Sequence, residues 1–417
     1  MDFFTLEAIP ARYGDCLMLH YGTSAAPGLA LIDGGPSQVW KKFLEPRLKT
    51  LKAKRGAGFR IDLLMVSHID DDHVLGVADF TKAWREEKTA GRQWPYPVAE
   101  VWHNSFERIS NAKDIGAVTA SVTASTGAAA LDEIDLEAQG IENNDQARAG
   151  LKVLASVNNG KKLRDDVKAL NLPTNSGFGG LVRPGAGPSV PYKLGPELTL
   201  HVAAPLPDQL TDLQEMFAKD LKPEAALAAY TDGSVPNLSS IAVVARFKGK
   251  TMLLTGDARG DYLIEGLEKE GLLHGGKLHV DLLKLPHHGS DRNVAEAFFR
   301  DITADHYVAS ADGTFGNPDR ACLEMLIGAR PKEAEYTIHL TYPLADIDAR
   351  RKAEWEKDRQ GEIDKNKPKV RPAWDHDRDD LATLFKQKQD AGHKFTVAAP
   401  ATAGPGARVE LLDPIPF

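Results

Sequence analysis

The sequence predicts a layered α/β fold in which helices pack outside β-sheets. Of the 417 residues, 42% are hydrophobic and 26% are charged, the balance of an ordinary globular protein. Short apolar segments bounded by Gly and Pro turns alternate with segments of helical spacing along the first third of the chain, and the same alternation returns after residue 198. Strands and helices interleaved in this way favour sheets that are covered by helices.

The individual elements are predicted from hydrophobic periodicity and from turn residues. In the first helix, Trp40, Leu44 and Leu48 recur on roughly one face. The run over residues 61–67 is densely apolar, as in a strand buried on both faces. The predicted strands are residues 3–9, 16–21, 29–33, 61–67, 98–103, 198–203, 241–247, 251–255 and 280–285. The predicted helices are residues 37–54, 74–84 and 262–270.

Composition and charge exclude several classes of protein. A formal net charge of −8 gives no overall attraction to nucleic acid, so such binding would need a local basic patch. No run reaches about 18 apolar residues, so we expect no membrane span, and the first residues, with Asp2 and Glu7, do not resemble a signal peptide. The two cysteines, Cys16 and Cys322, lack Cys-x-x-Cys spacing. We therefore expect no disulfide framework and a cytoplasmic location.

Two segments differ in composition from the alternating strands and helices of the rest of the chain. Residues 107–196 are rich in Ala, Gly, Ser and Asn, and we expect an inserted helical lobe with a long loop, either plain scaffolding or a lid. The segment from Arg350 to Arg371, hereafter the basic stretch, has nine Lys/Arg against five Asp/Glu. It is either a solvated helix face or a surface for single-stranded DNA or RNA. These segments predict a domain over residues 1–345 and a C-terminal extension over residues 346–417.

The clearest functional signal directly follows the buried strand 61–67. His68, Asp70, Asp72 and His73 come within six residues of its end. Because the strand fixes the base of the turn, side chains at alternate positions can converge on one point. Imidazole and carboxylate groups are metal ligands, so we predict a metal site. The structural alternative is a solvated acidic turn or a helix cap.

Further candidate ligands follow other predicted strands. Asp257 ends the segment Leu253-Leu254-Thr255-Gly256-Asp257, and the tandem pair His287 and His288 follows the strand at residues 280–285. Two histidines in tandem after a strand favour ligation. His103 also ends a strand, and it is either a ligand or a packed residue.

These motifs resemble the metallo-β-lactamase superfamily. His68-x-Asp70-x-Asp72-His73 is similar to its His-x-[His/Asp]-x-Asp-His motif, with aspartate at the third position. The order of the motifs resembles ComEC-type domains of competence proteins and their stand-alone relatives, over about residues 3–105 and 198–320. Those motifs are Gly14-Asp15-Cys16, Leu31-Ile32-Asp33-Gly34-Gly35, Ser67–His73, Asn237-x-Ser239-Ser240, Leu254-Thr255-Gly256-Asp257 and Leu285-Pro286-His287-His288-Gly289-Ser290. Cys16 departs from a common serine, and Gly316-Asn317-Pro318 departs from a frequent Gly-His-Pro.

The resemblance implies an αββα sandwich with two divalent metal ions at one edge, between the sheets. The implied ligands are Asp72, His73 and one of His287 and His288 for one metal, a bridging Asp257, and His68 with Asp70 for the other. The oxygen ligand at Asp70 leaves both zinc and manganese open. Asp33 is expected either to hydrogen-bond a ligand histidine or to serve a turn whose glycines supply positive φ.

The implied chemistry is hydrolysis by a metal-bound hydroxide. Lys284, Asn237 and Ser240 are candidates to hold an anionic substrate oxygen, although Lys284 is alternatively a solvated strand residue. Three functions compete: a phosphodiesterase or nuclease acting on nucleic acid or nucleotides, a hydrolase of carboxylic esters, thioesters or lactams, and a regulatory module with weak turnover. The resemblance and the basic stretch favour the first, the acidic net charge opposes it, and Asn317 is the reason to keep the third.

Overall fold

The computed structural model describes residues 1–105, 159–185, 187–211 and 239–417. The strands are β1 (Asp2–Ala8), β2 (Leu17–Thr23), β3 (Pro27–Ile32), β4 (Leu63–Met65), β5 (Val101–Trp102), β6 (Tyr192–Leu194), β7 (Leu198–Ala204), β8 (Ala242–Phe247), β9 (Lys250–Leu254), β10 (Leu278–Lys284), β11 (Ile302–Ala309), β12 (Tyr336–Leu340), β13 (Phe395–Ala398) and β14 (Ala407–Glu410). The helices are α1 (Glu45–Arg55), α2 (Asp71–Thr89), α3 (described over residues 159–170), α4 (Gly260–Lys269), α5 (Glu296–Asp301), α6 (Arg320–Ala329), α7 (Leu344–Asp364), α8 (His376–Asp379) and α9 (Leu381–Asp390).

These strands form two sheets, one of six strands in the order β14-β1-β2-β3-β4-β5 and one of eight in the order β13-β12-β11-β10-β9-β8-β7-β6. In the first sheet β1, β2 and β3 are antiparallel, and β3, β4 and β5 run parallel. In the second, the strands from β9 to β13 run parallel. Parallel neighbours end at the same edge of a sheet. Loops that follow β3, β4, β9 and β10 can therefore meet at one place.

The main core lies between the sheets, where Phe4 of β1 meets Phe247 of β8 with ring centroids 5.6 Å apart. The outer face of the first sheet is covered by α1 and α2, which bury Leu48 and Phe80. The outer face of the second sheet is covered by helices that include α4 and α6. The predicted αββα sandwich is therefore confirmed.

Two glycines hold helix α2 against the loop that follows β3. A Cβ atom on Gly76 would lie only 1.9 Å from the carbonyl oxygen of Gly34. The close approach allows the Gly34 amide to donate to the His73 carbonyl at 2.8 Å, and the Gly76 amide to donate to the Gly35 carbonyl at 2.9 Å. The first turn of α2 is thereby fixed next to the end of β3.

Several sequence predictions are refined or corrected by these elements. The strand predicted at residues 61–67 is the shorter Leu63–Met65, and α2 begins at Asp71 instead of residue 74. Asp72 therefore lies in the first turn of a helix, and its expected position at a strand end is wrong. The cause is the turn after β4, where the Asp70 carbonyl already accepts from the amides of His73 and Val74 at 2.9 Å each and so starts the helix.

The C-terminal segment contributes to both sheets. β13 pairs with β12, and β14 pairs with β1, where Val409 lies opposite Leu6. The boundary at residue 345 stays a prediction, as does the insert over residues 107–196, of which residues 107–158 and 186 lie outside the described part. Within the described ranges, no helix is long and apolar enough to cross a membrane.

Candidate metal centre

The predicted ligands come together at the edge where the parallel strands end. Asp257 is almost fully buried, and four imidazole nitrogens lie within 4 Å of its carboxylate. The distances to its oxygens are 3.3 Å from Nε2 of His73, 3.6 Å from Nε2 of His287, 3.6 Å from Nε2 of His288 and 3.8 Å from Nε2 of His68. A carboxylate surrounded in this way matches the bridging position that the resemblance implies for Asp257.

Each of these histidines makes its other contact through Nδ1. The Nδ1 partners are Asp33 Oδ2 for His73 at 2.9 Å, the Ser310 carbonyl for His288 at 3.1 Å, Ser67 Oγ for His68 at 3.1 Å and Asn293 Oδ1 for His287 at 2.7 Å. These partners accept a hydrogen bond, and Ser67 Oγ does so while it donates to Asp33 Oδ2 at 2.7 Å. In the neutral form of each imidazole, these contacts place the proton on Nδ1 and leave the Nε2 lone pair on the side of Asp257.

This arrangement of lone pairs fits bound cations. Nε2 of His73 and Nε2 of His288 are 3.2 Å apart, a separation at which both nitrogens can contact one divalent cation. His68 Nε2 and Asp257 Oδ1 are buried without a hydrogen-bond partner among the described residues. Two groups have ligand atoms within 4.8 Å of one another: Asp15, His73, Asp257 and His288 in the first, and His68, Asp72 and His73 in the second. Nitrogen and carboxylate donors in this number suit divalent metal ions.

Electrostatics at the centre favour positive charge. Burial alone lowers the pKa of His73, but the carboxylates of Asp257, Asp72 and Asp33 outweigh it and raise that pKa well above the ordinary value. Burial alone raises the pKa of Asp257, but the neighbouring His288, His73 and His287 outweigh it and lower that pKa well below the ordinary range. The carboxylates thus attract cations to the place where the Nε2 atoms converge.

Lys284 is buried and does not line the cleft beside the candidate ligands, whereas contact with a substrate would require an accessible side chain. Its side chain is 0% exposed, its Nζ forms an ion pair with Asp15, and Nζ also donates to the Gly256 carbonyl at 3.2 Å. Asp15 in turn lies 3.3 Å from Nδ1 of His288, and its amide donates to the Asp72 carbonyl at 3.2 Å. The geometry favours Lys284 as a positioning residue that neutralises Asp15 behind the ligands.

Of the remaining candidate site residues, some lie next to the cluster of histidines around Asp257 and others do not. Asp70 Oδ2 lies 3.6 Å from Nε2 of His68. Ser240 is buried, and its Oγ accepts from the Asp257 amide at 3.2 Å, so it helps to hold Asp257 in place. Asn237 lies outside the described residues. His103 belongs to neither group of candidate ligands in the described part, and its main chain pairs with the Asn175 side chain at 3.0 and 2.8 Å. Its role as a ligand stays a prediction.

The sequence left two roles open for Asp33, a hydrogen bond to a ligand histidine or a place in a turn, and the structure shows the hydrogen bond to His73. Other residues that hold the candidate ligands were not assigned this role from the sequence. Asp15 had a detectable signal, because Gly14-Asp15 repeats the Gly-Asp pattern of Gly256-Asp257. Ser310 acts through its main-chain carbonyl, which no side-chain pattern marks.

The tandem histidines are presented by a left-handed stretch of backbone. His287 and His288 have φ of 46° and 56°, and Gly289 follows with φ of 85°. Non-glycine residues in this region cost roughly 1–3 kcal/mol each and persist where the surroundings hold them. Here the Ser290 amide donates to the His287 carbonyl at 2.8 Å and the Asp319 amide donates to the Gly289 carbonyl at 2.9 Å. The loop therefore aims two consecutive imidazoles at Asp257.

A cleft of about 620 Å³ opens from this centre. Its lining includes Asp72, His287 and His288 together with Trp355 of helix α7 and Trp374. We call it the α7 cleft. The basic stretch supplies part of its wall, so the two main functional signals of the sequence meet at one surface.

The model of one protein family matches part of the chain. The model of the Metallo-beta-lactamase superfamily matches residues 27–140, which include the His68–His73 motif. This match and the αββα sandwich define the fold as that of a superfamily made up mostly of hydrolases, here with a candidate metal site. The ComEC-type resemblance is a finer statement and stays a prediction.

Two solved structures are similar to the chain at low identity. One is the metallo-beta-lactamase fold protein YhfI from Bacillus subtilis, at 12% identity and a TM-score of 0.35, covering 98% of this chain and 100% of that one. The other is the hydrolase AbOPH in the beta lactamase superfamily, at 17% identity and a TM-score of 0.26, covering 58% of this chain and 56% of that one. These TM-scores are too low to support an argument. No curated protein sequence matches the chain.

Proposed function

We propose that this chain is a metal-dependent phosphodiesterase. The observation that carries the proposal is the α7 cleft, where candidate metal ligands Asp72 and His288 share one surface with Lys357 of the basic stretch and with Arg292. A phosphodiester brings a negative charge to the reacting group, whereas a carboxylic ester, thioester or lactam does not. Cations next to a hydrolytic metal centre therefore favour the phosphodiester.

Divalent metal ions, zinc or manganese, would supply an activated water and positive charge that stabilises the transition state. The chain's own residues prepare the place for them. Asp33 and the Ser310 carbonyl orient His73 and His288 through Nδ1, so that both Nε2 atoms face Asp257. The Asn293 side-chain amide donates to the Asp257 carbonyl at 3.0 Å and keeps the bridging residue in place. These contacts fix the ligands before metal binds, which reduces the cost of assembling the centre.

Charge in the α7 cleft supports an anionic substrate. Arg292 and Lys357 are exposed, and neither forms an ion pair with a residue in the described ranges. By contrast, Arg371 is bound to Asp358 at 2.8 Å and to Glu362 at 2.9 Å. Arg292 and Lys357 are thus the cations that a substrate phosphate would meet.

A substrate panel tests the proposal and separates it from its two alternatives. Purified protein loaded with manganese or zinc is assayed with bis-p-nitrophenyl phosphate, single-stranded DNA and a thioester. We expect hydrolysis of a phosphodiester and its loss, by at least about 10²-fold, in Asp257→Asn. The matched control is Asp281→Asn, because Asp281 bonds Lys250 and Thr251 on the strands, away from the centre.

Each other outcome has a defined meaning. Turnover of the thioester alone would favour the ester, thioester or lactam hydrolase. No turnover by protein with a full metal complement would favour the regulatory module. Equal activity in Asp257→Asn and wild type would show that the centre described above is not the active site.

A further inference from the structure

We propose that the α7 cleft selects a small nucleotide phosphodiester, whose base stacks on Phe315 while its phosphate lies at the metal centre. This inference rests on the proposed phosphodiesterase function and specifies its substrate class. It is carried by an exposed aromatic side chain, by the loop that holds it and by the distribution of charge in the cleft.

Phe315 is exposed in a way that an ordinary phenylalanine is not. Its side chain is 61% exposed, and it lines the same cleft as His287 and His288. The ring packs edge-on against Tyr13, with centroids 5.1 Å apart and an interplanar angle of 69°. An exposed aromatic ring that lines a cleft offers a surface for stacking. Stacking of one base on an aromatic side chain corresponds to about 5- to 150-fold in affinity.

The loop that presents Phe315 is held by helix α7. Phe315 has φ of 58°, the left-handed region, which is a cost that the surroundings must offset. Arg351 of α7 donates from Nε to the Gly316 carbonyl at 3.0 Å. At Gly313 a Cβ atom would lie 2.4 Å from the Ile347 carbonyl, so the loop rests directly on the helix. An exposed aromatic residue fixed at such a cost indicates a binding role.

The charges in the cleft suit one or two phosphates better than a long polyanion. Arg292 and Lys357 are available, but Arg351 is only 7% exposed and is committed to Asp348 and to the Asp379 carbonyl. The carboxylates of Asp291, Asp319, Glu354 and Asp358 also line the wall, and a polyanion lying along it would meet them.

Size leads to the same conclusion. The volume of about 620 Å³ is in the range of small-molecule sites, roughly 300–1,000 Å³. Trp355 and Trp374 also line the cleft, with ring centroids 6.0 Å apart. A mononucleotide or dinucleotide fits this space.

The test compares two substrates with the same leaving group. The first is thymidine 5′-(p-nitrophenyl phosphate), and the second is methyl p-nitrophenyl phosphate, which has no nucleoside. We expect kcat/KM to favour the thymidine ester by at least about tenfold in wild type. Phe315→Leu should lower that ratio by at least about fivefold, and Phe315→Trp should retain it. Ile363→Ala is the control, since Ile363 is an exposed apolar residue on helix α7 that does not line the cleft.

Equilibrium binding gives a readout that does not depend on turnover. Calorimetric titration with thymidine 5′-monophosphate and with inorganic phosphate should show tighter binding of the nucleotide, and Phe315→Leu should reduce the difference. If the methyl ester is hydrolysed without preference for thymidine, or if Phe315→Leu leaves the ratio unchanged, this inference fails and the phosphodiesterase stands. If neither ester is hydrolysed, the proposed function fails. Faster cleavage per bond of long single-stranded DNA would overturn the small-ligand assignment.

Discussion

Replacing Lys284 with methionine distinguishes a positioning role from contact with substrate. Lys284 is fully buried and forms an ion pair with Asp15, which is itself buried and lies 3.3 Å from Nδ1 of His288. Burial alone raises the pKa of Asp15, but Lys284 and then His288 outweigh it and hold that pKa well below its ordinary range. In Lys284→Met, the methionine fills much of the same space and leaves Asp15 without its principal partner.

The size of the effect follows from the burial of both groups. Breaking a fully buried ion pair from one side costs about 3–5 kcal/mol of unfolding free energy, because a charge remains without compensation. Removing both charges together is often close to neutral. We therefore expect Lys284→Met to lose about 3–5 kcal/mol, and the double variant Asp15→Asn with Lys284→Met to recover at least about half of that loss. Lys386→Met, which breaks an exposed pair with Asp390, should lose less than about 1 kcal/mol.

Urea denaturation of chelator-treated protein measures these free energies without a contribution from metal affinity. In the same variants, KM for bis-p-nitrophenyl phosphate should change less than kcat, since Lys284 does not reach the cleft. A loss of unfolding free energy below about 1 kcal/mol in Lys284→Met, together with a large rise in KM, would refute the positioning role. It would instead favour the hypothesis that Lys284 contacts the substrate. A double variant no more stable than the single variant would show that the two charges are not coupled.

The remaining predictions concern the metals, the carboxylates and pH. Elemental analysis after manganese or zinc loading should find up to two ions per chain, and less than about 0.2 equivalents would contradict the site. Asp72→Ala and Asp257→Ala should each remove hydrolysis with circular dichroism and melting close to wild type, and unfolding of both would make these carboxylates structural. At Glu7, burial raises the pKa, but hydrogen bonds from His20 and Arg47 outweigh it and lower the pKa to about 2 from 4.5. The resulting stability, about 3 kcal/mol, is present above pH 4.5 and is lost as pH falls toward 2, with about 2 kcal/mol lost between pH 6 and pH 3. Glu7→Gln should lack this acid-dependent loss in denaturation midpoints, and an identical pH profile would contradict the assignment.

The sequence predicted a layered α/β fold because many of its strands are apolar runs that end in turn residues, and the family resemblance implied the αββα sandwich. It predicted the ligands for the same reason: Asp257 and the tandem histidines come immediately after such strands. The edge strands β13 and β14 were not predicted. Each has only four residues. In β13 only the first residue is buried, and in β14 buried and exposed residues alternate, so their hydrophobic pattern is weak.

The ion pair behind the ligands was not predicted either. Lys284 ends an apolar strand, where an exposed lysine is common, and its partner Asp15 lies in a loop at the opposite end of the chain. The packing of the two sheets brings Lys284 and Asp15 together. Local periodicity and residue spacing in the sequence therefore do not predict this ion pair. The same reasoning applies to the α7 cleft, which depends on the contact of α7 with the loop at Gly313–Gly316.

Asn317, where the resemblance departs from a frequent histidine, lies in the turn that presents Phe315. Asn317 is buried, its carbonyl accepts from the Gly313 amide at 3.0 Å and its amide donates to the Thr314 carbonyl at 3.3 Å, so it closes the turn that presents Phe315. Two residues further on, the Asp319 carboxylate accepts from the Asp291 amide at 3.0 Å, next to the loop of the tandem histidines. The turn thus connects helix α7 on one side with the ligand loop on the other. Because the four Nε2 atoms already surround Asp257, a further histidine at position 317 is not needed to complete that group. The turn instead lines the α7 cleft beside the candidate metal ligands.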